Sequence, residues 1–128
     1  MFGDDIILGR TVSKLDDKGR VCLPSFTGRQ YKDKLVLVEF DEDKACIYKY
    51  DSYVSQIEEL KEKIKLSKTV SERRKYELEM YSICKKILKV LNVDVNGRVI
   101  IGDLFKDHEY LNIIGSIDSV IIEPSKKI

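Results

Sequence analysis

Apolar residues recur along this chain with two different spacings. In the first fifty residues and again in the last forty they run in short β-branched and aromatic stretches. Thr11-Val12-Ser13-Lys14-Leu15 and Val21-Cys22-Leu23 are followed by Lys34 to Phe40 and by Ala45 to Tyr50. Beyond the middle the pattern returns as Val90 to Val93, Val99-Ile100-Ile101, Leu111 to Ile114 and Ser119 to Ile122. Runs of this length bounded by turn residues predict strands. The turn residues are Asp41-Glu42-Asp43-Lys44 in one half and Gly115-Ser116-Ile117-Asp118 in the other, and segments 25–32 and 103–110 are expected to form short turns or helical pieces. Between the strand regions the period becomes helical. Val54, Ile57, Leu60 and Ile64 step by three or four, with Asp51 or Ser52 as the expected N-cap. Leu66-Ser67-Lys68 breaks the pattern. Thr69-x-x-Glu72 then reads as a capping box, opening a helix whose apolar side holds Tyr76, Met80, Ile83 or Cys84, and Ile87.

The strand regions repeat one another. Residues 15–24 and 93–102 both have the form apolar-Asp-x-x-Gly-Arg-Val-x-apolar, without a gap, 78 residues apart. An internal repeat governs how the whole fold is read. Each copy predicts a strand, a tight glycine turn and a return strand, because Asp bonds its own backbone and Gly and Asn tolerate positive φ. The predicted class is therefore α+β, mainly β: two hairpins, a helical hairpin and two further hairpins. The divisions are 1–50, 51–86 and 87–128. Neither hairpin half buries enough surface to be stable alone. Interleaving the halves would give one pseudo-twofold barrel.

Charge changes the picture only locally. Of 128 residues, 35% are charged, above the usual ~25%, yet the net charge is +1. A surface for a polyanion must then come from segregated Lys and Arg. No apolar run approaches the ~20 residues of a membrane span, and the acidic Met1-Phe2-Gly3-Asp4-Asp5 start is unlike a signal peptide. The expected location is the cytoplasm. Cys22, Cys46 and Cys84 match neither a disulfide framework nor a metal signature, so they are expected to be small buried hydrophobes. His108 is the single histidine. With one histidine and no glycine-rich phosphate loop, no catalytic constellation, cofactor, metal or small-molecule substrate is expected.

Met1-Phe2-Gly3, Asp16-Asp17-Lys18-Gly19-Arg20 with Pro24 following, Ser71-Glu72-Arg73-Arg74, and Asp94-Val95-Asn96-Gly97-Arg98 together resemble the MraZ family of bacterial regulators. Members of that family carry two AbrB-like halves in one chain, each with an Asp-x-x-x-Arg motif. Typical members continue into a further helix where this sequence ends at Pro124 to Ile128. The resemblance implies two swapped-hairpin halves in a double-psi-like barrel and ring-shaped homo-oligomers. It also implies regulation of transcription through double-stranded DNA, at short direct repeats upstream of the division and cell-wall gene cluster.

On that basis the first-hairpin turns carry recognition, and the residue types suit the task. Arg20 and Arg98 present planar donor forks for guanine or phosphate, while Lys14 and Lys18 supply point charges to the backbone. Gly19 and Gly97 keep the turns slim. Arg10 is a further candidate, and Asn96, in place of the lysine, is able to read adenine. The plainer alternative is that Arg20 and Arg98 bridge Asp16 and Asp94 four residues earlier and only stabilise the turns. At the level of the whole protein, the alternatives are an AbrB-like antitoxin and an oligomeric scaffold with no DNA role.

Overall fold

The computed structural model describes residues 7–23, 34–117 and 119–125. The Met1–Gly3 start, Pro24 and the expected turns of 25–32 lie outside them. Among the described residues the order is β1 (Ile7–Lys14), β2 (Arg20–Cys22), β3 (Lys34–Asp41), β4 (Lys44–Lys49), α1 (Tyr50–Leu66), α2 (Val70–Lys85), β5 (Ile87–Asn92), β6 (Arg98–Ile100), β7 (Tyr110–Ile117) and β8 (Ser119–Pro124). The chain is thus α+β. Six strands form one antiparallel sheet in the order β1-β7-β8-β4-β3-β5, and β2 pairs with β6 in a separate two-stranded ladder. No helix among the described residues is long and apolar enough to cross a membrane.

The glycine turns form where expected, but the hairpins built on them do not. Across the first turn the backbone bonds are Asp16 N–H to the Arg20 carbonyl (3.0 Å) and Gly19 N–H to the Asp16 carbonyl (3.1 Å), and no strand ladder joins β1 to β2. β1 then pairs with β7 and β2 with β6, so both find their ladders in the other half of the chain. The second copy behaves alike: β5 pairs with β3 and β6 with β2. The registers follow the repeat. Val21 faces Val99, its counterpart 78 residues on, and Arg20 faces Ile100 just as Cys22 faces Arg98. Two further bonds repeat the relation, Ile101 N–H to the Gly19 carbonyl (2.8 Å) and Leu23 N–H to the Gly97 carbonyl (2.9 Å). At the other end, Cys46 faces Ile121 where β4 meets β8. An internal pseudo-dyad therefore runs between Val21/Val99 and Cys46/Ile121.

The sheet does not close into the expected barrel. β1 and β5 are its edges and share no hydrogen bonds. The short β2 and β6 stand apart from it as a separate ladder.

Packing follows from strand alternation. Leu35 and Leu37 of β3 enter the main core with Ile47, Leu91, Val99, Leu111, Ile113, Val120 and Ile122. The alternate Val36 and Val38 pack on the other face of the sheet against Tyr53 of α1, with Ile57, Ile83 and Ile87 beside them. This is why four consecutive residues of β3 are buried. Tyr53, not Val54, is the buried residue of the first helical turns, its ring tilted against that of Tyr48 with the centroids 5.5 Å apart.

Other departures from the sequence pattern are local. β4 runs straight into α1, so Lys49 is the N-cap and neither Asp51 nor Ser52 caps it. Thr69 does cap α2, accepting from Glu72 N–H at 3.1 Å. That helix stops at Lys85, and Ile87 belongs to β5. Glu39 N–H donates to the Lys86 carbonyl at 2.8 Å and draws this stretch onto β3. The last hairpin turns later than expected, because Gly115 and Ser116 are pinned on one side by Gly9 and Leu8 and on the other by Val120 and Ser119. Segment 102–107 forms turns that seat Phe105 in the core. Cys46 is buried, but Cys22 and Cys84 are exposed, contrary to expectation.

The two turn glycines make a quantitative contrast. Both have positive φ, 75° at Gly19 and 77° at Gly97. A Cβ on Gly19 would lie 2.7 Å from the Gly102 carbonyl oxygen, whereas one on Gly97 meets nothing nearer than 3.9 Å. Gly97→Ala is expected to cost about 1–2 kcal/mol, the usual penalty of a left-handed alanine. Gly19→Ala is expected to cost clearly more. Urea unfolding of both variants measures this, and equal losses would contradict the close approach of the Gly19 and Gly102 backbones.

Candidate nucleic-acid interface

Each turn is organised by one carboxylate. Asp16 Oδ1 accepts from Lys18 N–H (2.9 Å) and Arg20 N–H (2.8 Å), and its Oδ2 accepts from Arg20 Nε (2.6 Å). Asp94 repeats the pattern with Asn96 N–H (2.8 Å), Arg98 N–H (2.9 Å) and Arg98 Nε (3.0 Å). The backbone N–H of the arginine is the main influence holding each carboxyl below the ordinary aspartate range. The bonds to the guanidinium and to Lys18 or Asn96 add to it, and partial desolvation opposes it.

The alternative that the arginines bridge to the aspartates is therefore realised. It does not exhaust them. An arginine has five N–H donors in a planar fork, and Nε is the one held. Tethering Nε fixes the plane of the group while its outer nitrogens stay clear of the aspartate. The Arg20 and Arg98 side chains are 28% and 33% exposed, so they are open to a partner.

The β2–β6 ladder sets where these arginines stand. Val21 and Val99 are buried at 1% and 0% exposure, so their side of the ladder faces the core. Arg20, Cys22, Arg98 and Ile100 consequently share the opposite, solvent side. Arg20 and Arg98 are diagonal neighbours across the ladder, a relation that puts residues about 7–8 Å apart and their Cβ atoms somewhat closer. Gly19 and Gly97 lie at its two ends beside the exposed Lys18 and Asn96.

The other candidates fall elsewhere. Ser13 of β1 turns inward to donate to the Cys22 carbonyl at 3.1 Å. Arg10 and Lys14 alternate to the outer side of that edge strand and do not join the ladder face. Lys14 stands 3.8 Å from Glu109, an ion pair about two-thirds exposed at both ends and of little energetic weight. Beside the first turn a cleft of about 550 Å³ is lined by Asp16, Asp17, Asp103, Asp107 and Glu109 against Lys14, Lys106 and His108. That flank is acidic. The second turn is less charged, with Val95 fully exposed where the first has Asp17. Among the described residues no group of three or more His, Cys, Asp or Glu side chains is arranged to hold a metal ion.

Cys22 and Ile100 were not among the sequence candidates. Their place beside the arginines depends on the β2–β6 register, and no local motif encodes it. No protein-family model matches the chain, and no curated protein matches it either.

The carboxylates make stability depend on acid. Their folded-state affinity for protons is lower than in the unfolded chain, so ionised Asp16 and Asp94 favour the fold. That contribution is complete above the ordinary aspartate range and drains away as pH falls through the lowered values. The double variant Asp16→Asn, Asp94→Asn is expected to be less stable than the parent at neutral pH, with the gap narrowing in acid. Urea midpoints measured across that range check this; a gap independent of pH would contradict it.

Proposed function

We propose that this chain is a sequence-specific DNA-binding regulator of transcription of the MraZ type, built from two AbrB-like swapped-hairpin halves. The observation that carries the proposal is the shared solvent face of Arg20 and Arg98 on a two-stranded ladder, each held by its own aspartate. The major groove admits a two-stranded β-ribbon, and arginine bonds bidentately to guanine O6 and N7. An arginine already fixed at Nε loses less conformational freedom when it binds. Lys18 and Asn96, with Gly19 and Gly97, flank the ladder as backbone-contacting and close-approach positions. Arg10 and Lys14 reach only DNA that bends around to the β1 edge.

One ladder touches few phosphates, and a net charge of +1 adds little long-range attraction. Homo-oligomers, ring-shaped as the resemblance implies, would bring several ladders to repeated sites and raise avidity without new contacts. The proposed sites are short direct repeats upstream of the division and cell-wall gene cluster. A second reading, an interaction scaffold with no DNA role, is favoured by one observation. Val70, Leu78 and Tyr81 of α2 are all more than 60% exposed.

Selection of bound duplexes from a random pool, followed by titration of the enriched sequence, tests the proposal. Arg20→Ala and Arg98→Ala are each expected to weaken binding by about 1–3 kcal/mol, the worth of one bidentate base contact. Arg20→Lys should not restore it, because an ammonium lacks the planar fork. Affinity should fall as salt rises, with a shallow slope set by few phosphate contacts. Failure to enrich any sequence, or full binding by both alanine variants, would overturn the DNA role in favour of the scaffold.

A further inference from the structure

We propose that Ile100, and less strongly Cys22, are specificity-determining residues that pack on thymine methyl groups beside the bases contacted by Arg20 and Arg98. This inference rests on the DNA-binding proposal and extends it from the arginines to the apolar half of the same face.

A single exposed isoleucine is ordinary on a protein surface. The register makes this one different. Ile100 lies directly across the ladder from Arg20, and Cys22 lies directly across from Arg98. Residues 22 and 100 occupy the same position in the two copies of the repeat. Each arginine thus has one apolar cross-strand neighbour, with Cβ atoms about 5 Å apart. Ile100 is 49% exposed although the next residue along its strand, Val99, is completely buried. Cys22 is likewise exposed, its Sγ 3.8 Å from the Asn96 and Leu23 carbonyls. The solvent face is therefore a checker of two donor forks and two apolar groups.

The chemistry of the major groove selects what such a checker reads. An arginine that engages one base pair places its cross-strand neighbour over an adjacent pair, since bases rise only about 3.4 Å per step. Thymine presents a C5-methyl there, an apolar feature suited to Ile100. Cytosine presents an N4 donor. An isoleucine over that donor would exclude water from it and leave it unpaired, a cost that thymine does not incur. The two halves read unequally. Ile100 covers a methyl group more fully than Cys22 does, so the preference is strongest beside the base bound by Arg20. A protein with an internal dyad then reads an asymmetric site.

The test uses the full chain and its selected duplex, remade with each thymine in turn replaced by deoxyuridine. That change keeps base pairing and deletes only the methyl group. Wild-type affinity is expected to fall about fourfold at a thymine adjacent to the base whose contact Arg20→Ala abolishes, the effect of uncovering one buried methyl. Ile100→Ala is expected to bind the thymine and deoxyuridine duplexes alike, and Cys22→Ala to show a smaller change at the other end of the site. Two outcomes overturn the inference while leaving DNA binding intact. In one, no thymine responds in the wild-type protein. In the other, Ile100→Ala weakens both duplexes equally and keeps their ratio, which makes Ile100 a prop for the Arg20 stem. The wild-type arm needs no variant, so a misfolded substitution does not decide the matter. If the wild-type chain enriches no duplex at all, the DNA role itself fails and this inference falls with it.

Discussion

The backbone of two three-residue strands is the constraint from which the rest of the structure follows. Among the described strands β2 and β6 pair only with each other: Arg20 and Arg98 bond back to Asp16 and Asp94 of their own turns, and the buried Val21 and Val99 are left to face one another across the ladder. Buried amides and carbonyls left unpaired are costly. The two halves are therefore bound to meet at Val21 and Val99. The bonds from Ile101 to Gly19 and from Leu23 to Gly97 extend the same closure outward on both sides. The main core then draws its residues from both sides of the helical hairpin, Leu35 and Ile47 from one, Leu111 and Ile122 from the other.

Asp16 and Asp94 build the turns, and their bonds to the arginines bear on the proposed recognition role as well. One carboxylate satisfies two turn amides and one guanidinium nitrogen, so the groups that shape the loop also orient the arginine. A structural role and a binding role are compatible in the same residue because the guanidinium has more donors than the aspartate has free lone pairs facing it. The acidic cleft beside the first turn adds direction. It places five carboxylates on the flank of that turn, away from the solvent face of the ladder on which the proposed DNA contact rests.

Local chemistry was legible in the sequence; partnership between distant segments was not. The Asp-x-x-Gly-Arg turns, the Thr69 cap, the break at Ser67 and the helical hairpin all depend on residues within a few positions of one another, and all are found. The repeat even announced the internal symmetry. What failed were inferences needing a partner's identity. The Gly19 and Gly97 turns suggest local hairpins, yet β1 pairs with β7 and β5 with β3. Gly115 and Ser116 look like a turn until two neighbouring strands hold them extended. Tyr53 is buried only because Val36 and Val38 turn away from the main core and need a cover. For the candidate site, the arginines and their aspartates were visible as a motif, but their shared face with Cys22 and Ile100 rests on a register between residues 78 apart. Pairing of β1 with β7 and the alternation along it leave Arg10 and Lys14 on another side.

The strand order also has a bearing on biosynthesis. In the sequence β1-β7-β8-β4-β3-β5, β1 waits for β7, some hundred residues later, before it has its sheet partner, and β2 waits for β6. While the half holding β1 and β2 leaves the ribosome, the β3–β4 hairpin and then the two helices are, among the described elements, the ones with partners close in the chain. Non-local pairing of this kind slows folding and leaves strand edges bare meanwhile. The helical hairpin, whose cap and turn are self-contained, would be the first element to cover part of that surface, shielding Val36 and Val38 before the second half arrives to complete the sheet.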